Sequence, residues 1–295
     1  MSTADEPDQD VELSVIIPCH NEAETLPFQL ESLLAQEWTG RWDIIVVDNG
    51  STDDTASIAQ AYAGGEIDLR VVNADQRSGV AYARNCGVHA TTARLVAFCD
   101  GDDVVHPGWT EAIATALQDS SLVTGTLESG SLNEPWLAGA RSMKSSERLP
   151  LFGAVPFARG NNTGMHRELW ERLGGYDENF VGLEDVEFSI RAAGDGVEPA
   201  LARDARVAYR FRSGLVSTWR QGIFYGRGRP SMAAQARALG LDGPTRFSGL
   251  RSWAWLLVKS PSLLSKSGRY AWIFTLASRV GALRGAVEAR KAFFS

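Results

Sequence analysis

The chain is poor in the residues that build nitrogen and sulfur metal sites: of 295 residues, three are cysteine and four are histidine. Cys19, Cys86 and Cys99 are odd in number, widely spaced and in no C-x-x-C arrangement, so neither a disulfide framework nor a thiolate metal site is suggested and the three read as reduced packing residues. His20, His89, His106 and His166 show none of the i, i+4 pairing that holds zinc on a helix. A bound metal is therefore expected on oxygen. Long hydrophobic runs are also lacking. The longest apolar stretches, within W-A-W-L-L-V-K (253–259) and Y-A-W-I-F-T-L-A-S-R-V-G-A-L (270–283), fall short of the roughly 18 to 20 residues that cross a bilayer. No internal repeat or low-complexity tract is evident. The opening M-S-T-A-D-E-P-D-Q-D is acidic and has no apolar core, unlike a signal or transit peptide, so a disordered acidic tail over 1–10 and a cytoplasmic location are expected.

What remains is a globular composition, 44% hydrophobic and 22% charged, long enough for one large α/β domain and an appendage. The net charge of −7 hides a division. From Arg203 onward there are 17 Lys and Arg against 3 Asp and Glu, a balance of +14, which leaves −21 for residues 1–202. An acidic body joined to a basic, tryptophan-containing tail suits an enzyme with an anionic surface as docking partner. No recognition motif for nucleic acid accompanies the basic charge, so nucleic acid is not expected as a partner.

L-S-V-I-I-P (13–18), W-D-I-I-V-V-D (42–48), I-D-L-R-V-V-N (67–73) and R-L-V-A-F-C-D (94–100) read as strands of a buried parallel sheet. Helices are expected over 22–36, from a cap at Ser51 or Thr52 with Asp53 and Asp54 to about 63, and over 79–88. This alternation predicts an α/β fold with a doubly wound, mostly parallel sheet, whose ligand sits beyond the carboxyl ends of the strands, where Asn21, Asp48, Asp75 and Asp100 fall. A helix over 107–118, a strand over 122–127, an irregular segment at 128–155 able to cover the site, a strand over 159–166, a helix over 167–172, a turn at 174–180 and a helix over 182–194 follow.

The sharpest chemical feature is F-C-D-G-D-D (98–103), where an apolar strand ends in three carboxylates. Such charges repel at close range, and a hard divalent cation relieves the repulsion while leaving coordination positions for a phosphate. A solvated acidic turn is the alternative.

S-V-I-I-P-C-H-N-E, V-V-D-N-G-S-T-D-D-T, V-A-Y-A-R-N-C-G, F-C-D-G-D-D, G-G-Y-D-E-N-F and E-D-V-E-F-S-I-R, in this order, resemble the family 2 glycosyltransferases of GT-A fold over about residues 12–213. The resemblance implies a Rossmann-like GT-A catalytic domain (11–214) and an inverting transfer from a nucleoside-diphosphate sugar, UDP- or GDP-linked. It also implies that Pro18, Asn21 and Glu22 line the nucleotide pocket, that Asp48 accepts from the base, and that Arg77, Gly79, Arg84 and Asn85 frame the nucleoside. A helix cap is the other reading of Asp48, and a surface ion pair that of Arg84. Asp100, Gly101 and Asp102 match the D-x-D that sets Mg²⁺ or Mn²⁺ against the donor diphosphate, with Asp102 the first choice as ligand and Asp103 favoured as a cap for the next helix. Asp185 matches the catalytic base, with helix N-terminal acidity as the structural alternative and Glu184 its structural partner. Asn161, Asn162, Glu184 and Trp136 are expected at the acceptor or donor sugar.

The sequence departs from the family at one informative point. Some relatives place a metal-binding histidine after the base helix, whereas V-A-Y-R-F-R here carries Arg210 and Arg212, which can hold a diphosphate but cannot ligate a metal. The Q-x-x-R-W signature of processive synthases is also missing, with W-R-Q-G (219–222) a partial echo, so transfer of a single sugar is expected. The acceptor is expected to be a lipid-linked or cell-envelope glycan, with a polyprenyl-phosphate sugar synthase and a silent nucleotide-binding scaffold as alternatives. The tail (215–295) is expected to be helical and to lie on the inner face of an anionic membrane, or to pack as a subdomain or dimer contact.

Overall fold

The computed structural model describes residues 11–140, 148–180, 182–245 and 248–294. The acidic opening 1–10 and part of the expected covering segment, 141–147, lie outside them. In chain order come β1 (Leu13–Cys19), α1 (Leu26–Leu34), β2 (Trp42–Asp48), α2 (Thr55–Ala61), β3 (Asp68–Asn73), α3 (Val80–His89), β4 (Leu95–Cys99) and the short β5 (Val104–Val105). Then follow α4 (Trp109–Asp119), β6 (Leu122–Glu128), α5 (Pro135–Ala140), a small hairpin of β7 (Leu151–Phe152) and β8 (Val155–Pro156), β9 (Asn162–His166), α6 (Arg167–Leu173), α7 (Glu184–Gly194) and β10 (Ala200–Ala208). Three helices end the chain: α8 (Leu215–Ala238), α9 (Ser248–Val258) and α10 (Lys266–Phe294), with a 3₁₀ turn at Ser260–Leu264 between the last two.

Among the described residues eight strands form one sheet in the order β3-β2-β1-β4-β9-β6-β10-β5. β1 to β4 are mutually parallel, as their continuous apolar runs predict, while β9 and β5 run antiparallel to their neighbours. Successive side chains of a strand point to opposite faces, so Val15, Ile17, Ile44 and Val46 enter one core with α1 and α4, and Ile16, Ile45 and Val47 enter the other with α3, α6 and α7. The chain builds outward from β1 through β2 to β3 and returns to place β4 on the other side of β1. That reversal opens a crevice at the carboxyl ends of β1 and β4, where Cys19 to Glu22 and Asp100 to Asp103 emerge.

Several boundaries differ from expectation for local reasons. Helix α1 begins at Leu26 rather than near Glu22, because Pro27 suits a helix's first turn and the backbone of residues 21–23 bonds to the loop after β2 instead. The segment 128–155, expected to be irregular, carries α5 and the β7–β8 hairpin.

The tail packs on the body. α8 runs against α7, and α10 lies along α8. The two long helices approach through Gly222 and Gly226 on α8 and Gly281 and Gly285 on α10: a Cβ on Gly226 would stand 2.9 Å from the Ala282 nitrogen and 2.9 Å from the Gly281 Cα. No helix among the described residues is long and apolar enough to cross a membrane. Gly226→Leu should wedge these helices apart and cost about 1–3 kcal/mol, as overpacking does in close-packed interiors. Urea unfolding reads this as a lower midpoint, and an unchanged midpoint would contradict the close crossing.

Candidate active site

The crevice is framed by loops that the chain ties together before any ligand is involved. Asn21 adopts a left-handed backbone (φ 57°), which its short amide side chain tolerates. Its Oδ1 accepts from the Thr52 N–H at 2.7 Å, and its own N–H donates to Ser51 Oγ at 3.0 Å. The Glu22 N–H donates to Thr55 Oγ1 at 2.8 Å, and the Ala23 N–H to Asp53 at 3.1 Å. The S-T-D-D-T run, expected as a helix cap, thus stitches the β1–α1 loop to the β2–α2 loop. Asp48 accepts from the Ser51 N–H at 3.2 Å and is half-buried at the end of β2. Its neighbour Asn49, not singled out from the sequence, donates to the carbonyls of Ala74 (2.5 Å) and Arg77 (2.8 Å) and accepts from the Gly79 N–H (2.8 Å), fixing the loop before α3. The Arg77 side chain itself points to the G-G-Y-D-E-N turn, donating to the Glu178 carbonyl at 2.5 Å and to Asn179 at 3.0 Å. Asn85 clamps the same turn through the backbone of Tyr176.

Beyond β4 the D-G-D-D loop is held from both sides. Gln29 of α1, fully buried, donates to the Asp100 carbonyl at 3.1 Å and accepts from the Val105 N–H at 3.0 Å. A Cβ on Gly101 would collide with Glu22 Oε2 and stand 2.8 Å from Cys19 Sγ, so glycine is what lets this turn lie against Glu22. Asp103 is fully buried, and its carboxylate accepts from the Arg210 N–H at 2.8 Å and from Asn161 Nδ2 at 2.7 Å. It does not cap α4, whose first turn has no side-chain cap; it joins this loop to the end of β10 and to the start of β9. Arg210 also donates from Nε to the Asp102 carbonyl at 2.9 Å.

Asp100, Asp102 and Asp103 each offer an oxygen within 4.8 Å of the others. The cluster is short of positive charge. Burial, then Asp100, push the Asp102 carboxyl up to about 6, with Arg212 pulling it back. Burial, then Asp102 and Asp100, push Glu22 up to about 9, and its Oε2 is buried without a hydrogen-bond partner. An all-oxygen set with an orphaned carboxylate oxygen beside it fits a hard divalent cation.

Arg84 connects this loop to α7. The residue is 2% exposed, and its guanidinium reaches Glu184 at 2.5 Å and Asp100 at 3.1 Å and lies over the Tyr176 ring. Burial works against its charge, and the two carboxylates outweigh that. It is a buried bridge, not the surface ion pair that the sequence left open. Asp185, next to Glu184, accepts from the Gly160 N–H at 2.9 Å and from the Val186 N–H at 2.8 Å. Burial, then Glu184, push its carboxyl up to about 6 against those N–H groups and Arg84. The residue before this pair, Leu183, sits in the left-handed region (φ 65°), a strained conformation that the surrounding packing must hold.

One cleft of about 510 Å³ takes in Pro18, Glu22, Arg84, Asp100, Asp102, Asn161, Glu184, Asp185, Arg210 and Arg212. Its remaining wall includes Arg220, Gln221, Phe224 and Tyr225 of α8, so the first helix of the basic tail completes the crevice. Asn21, Asp48, Arg77, Gly79 and Gly101 stand around it as loop supports outside its lining. Two expected sugar contacts lie elsewhere. Asn162 is fully buried in the sheet, accepting from Trp109 Nε1 and donating to the carbonyls of Thr126 and Ala205, each at 2.9 Å, so it has no face toward a ligand. Trp136 packs on Tyr270 with the Lys266 ammonium over its ring, anchoring α10.

Residues 14–174, more than half of the chain, match the pattern of the family described as glycosyl transferase family 2. A "PGL/p-HBAD biosynthesis glycosyltransferase" of Mycobacterium bovis is 31% identical over 184 residues, 60% of this chain and 68% of that protein. Glycosyltransferase AglE of Haloferax volcanii is 27% identical over 199 residues, 65% of this chain; the chain spans 64% of AglE, less than two thirds of its length. Among solved structures, the mannosyltransferase PcManGT of Pyrobaculum calidifontis, in complex with GDP-Man and Mn²⁺, superimposes with a TM-score of 0.66 at 20% identity over 94% of this chain and 88% of that one. The mostly parallel sheet with its antiparallel β9 and the helical end are thus those of the GT-A fold, and with the family pattern they show that the chain belongs to glycosyl transferase family 2.

Proposed function

We propose that this cleft transfers a single sugar, with inversion, from a UDP- or GDP-linked donor to a hydroxyl of a lipid-linked or envelope-glycan acceptor. The observation that carries the reading is the shared lining: Asp100 and Asp102 of the D-G-D-D loop and Asp185, remote in sequence, face one crevice alongside Arg210, Arg212 and Arg220. A nucleoside diphosphate is anionic and finds these arginines on one side. Asp102 and Asp100 would hold Mg²⁺ or Mn²⁺, which when bound supplies charge neutralisation to the departing diphosphate.

Asp185 acts as general base. The acceptor oxygen attacks the anomeric carbon, its proton passes to the Asp185 carboxylate, and the bond from that carbon to the diphosphate oxygen breaks, releasing the nucleoside diphosphate. Two backbone N–H groups fix the orientation of the base, and its raised proton affinity leaves it ionised at pH 7 yet a stronger base than an ordinary carboxylate. A hydroxyl acceptor needs this proton removed, whereas an ionised phosphate acceptor does not. The membrane reading of the tail is supported by the exposed Leu250, Trp253, Leu257, Val258 and Leu264 beside exposed Arg251, Lys259, Lys266 and Arg269.

Asp185→Asn should lower kcat about 10²- to 10⁴-fold, the usual contribution of a positioned base, with nucleotide binding retained. Substantial residual transfer would point to a phosphate acceptor. Because the base works only when ionised and its proton affinity is raised to about 6, kcat/KM should fall as the pH drops through about 6; a flat profile down to pH 4.5 would contradict the role. Removing divalent cations with EDTA should abolish nucleotide release from UDP- and GDP-sugars, and Mn²⁺ or Mg²⁺ should restore it. Full activity in EDTA would leave the diphosphate to the arginines alone. The protein should sediment with anionic vesicles and leave them at high salt, and equal recovery in the supernatant with and without vesicles would remove the membrane reading.

A further inference from the structure

A second cleft, also of about 510 Å³, opens beside the first and shares Asn161, Leu183, Asp185, Tyr209 and Tyr225 with it. Its character is different. Away from Asp185 it is walled by Phe157, Phe211, Tyr225 and Phe274 and by Ala271, and it ends at Trp255 of α9. A volume of this size is in the range of a bound small molecule, and a lining that is polar at Asp185, Arg159 and Asn161 and mostly apolar beyond them, Thr275 excepted, suits a molecule with a reactive polar head and a hydrocarbon body. The cleft leads outward to α9. That helix is fixed to the protein by buried Leu256 and by the Trp272 Nε1 donating to the Leu256 carbonyl at 2.8 Å. Its other side stays in solvent, with Leu257 78% and Val258 74% exposed and Leu264 in the following turn 92% exposed. Between Gly243 and Val287 the sequence has no acidic residue, and Arg251, Lys259, Lys266 and Arg269 are all exposed, so the ground around the outer end is positive. An apolar cleft that runs from a proton acceptor to an apolar, basic face is arranged for a ligand that enters from an anionic lipid surface.

We propose that this cleft is the acceptor subsite and that it takes the hydrocarbon chain of a lipid acceptor directly, with the hydroxyl to be glycosylated placed at Asp185 and the chain passing Phe274, Ala271 and Trp255 toward the membrane. The inference rests on the transferase reading and narrows it: the acceptor is a lipid whose hydrocarbon begins close to the accepting group, rather than a long glycan that meets the protein only through sugar.

The test compares octyl β-glucoside, below its micelle concentration, with methyl β-glucoside, using tryptophan fluorescence and calorimetry on the full chain. Each methylene taken from water strengthens binding roughly fourfold, so three or four seated methylenes should lower the Kd about 100-fold for the octyl compound. Ala271→Trp, which fills the cleft, should remove at least about tenfold of that gain. Should Ala271→Trp fail to melt cooperatively, Trp255→Ser at the cleft's outer end should weaken octyl glucoside binding in the same direction. Equal binding of the two glucosides by the wild-type chain, or octyl binding unchanged in both variants, would overturn the assignment. So would a loss on Leu257→Ser as large as that on Ala271→Trp, because it would seat the chain on the outer face of α9. UDP and GDP binding by the wild-type chain with Mn²⁺ reports on the transferase reading separately: absence of nucleotide binding removes that reading, whereas nucleotide binding without any preference for the octyl chain removes only the lipid cleft.

Discussion

Arg84 is almost completely out of water, and its guanidinium remains charged because two carboxylates reach it from distant parts of the chain, Asp100 at the end of β4 and Glu184 at the start of α7. Breaking such a buried pair strands a charge, at a cost of about 3–5 kcal/mol in known cases, so neither loop can drift from the other cheaply. Gly160 belongs to the same arrangement. A Cβ there would stand 2.8 Å from the Arg84 Cζ, and the Gly160 N–H is one of the two donors that hold Asp185. A single cation in the core therefore sets the D-G-D-D loop and the proposed base at a fixed separation across one cleft.

The surrounding charges are deliberately unbalanced. Glu22, Asp100, Asp102 and Asp103 crowd the end of β4, and two of the nearby arginines are committed, Arg84 to its two carboxylates and Arg210 to the Asp102 carbonyl and, through its N–H, Asp103, while Arg212 offsets the crowded charge in part. What is left is burial joined by carboxylate repulsion, which together raise the proton affinities of Glu22 and Asp102. Close packing does not remove it; a divalent cation does. The fold thus supplies a rigid frame and leaves one electrostatic deficit, which the proposed cation and donor would fill.

The strands of the parallel half were legible because short β-branched apolar runs bounded by turn residues suit strands buried on both faces, and the acidic loop because three carboxylates after such a run are chemically conspicuous. Side-chain roles were less so. Asn161 and Asn162 look equivalent in sequence, but the first lies in the turn before β9 and reaches the cleft and Asp103, while the second begins the strand and enters the sheet to bond Trp109. Asp103 could not be told from a helix cap, since its partners arrive from residues 161 and 210. Gln29 did leave a trace, as a polar residue at a core-facing position among Leu26, Leu30 and Leu33. The part played by α8 left none, because its glycine-mediated packing on α10 and its wall of the crevice depend on contacts between segments that composition had joined only as a basic tail.

The central claim is spatial, and a crystal structure of the protein with a UDP- or GDP-sugar and Mn²⁺ tests it most directly. The diphosphate is expected against Asp100, Asp102 and Arg212, with the anomeric carbon lying between that loop and the Asp185 carboxylate. A nucleotide bound outside this cleft, or a sugar whose anomeric carbon is turned away from Asp185, would contradict it.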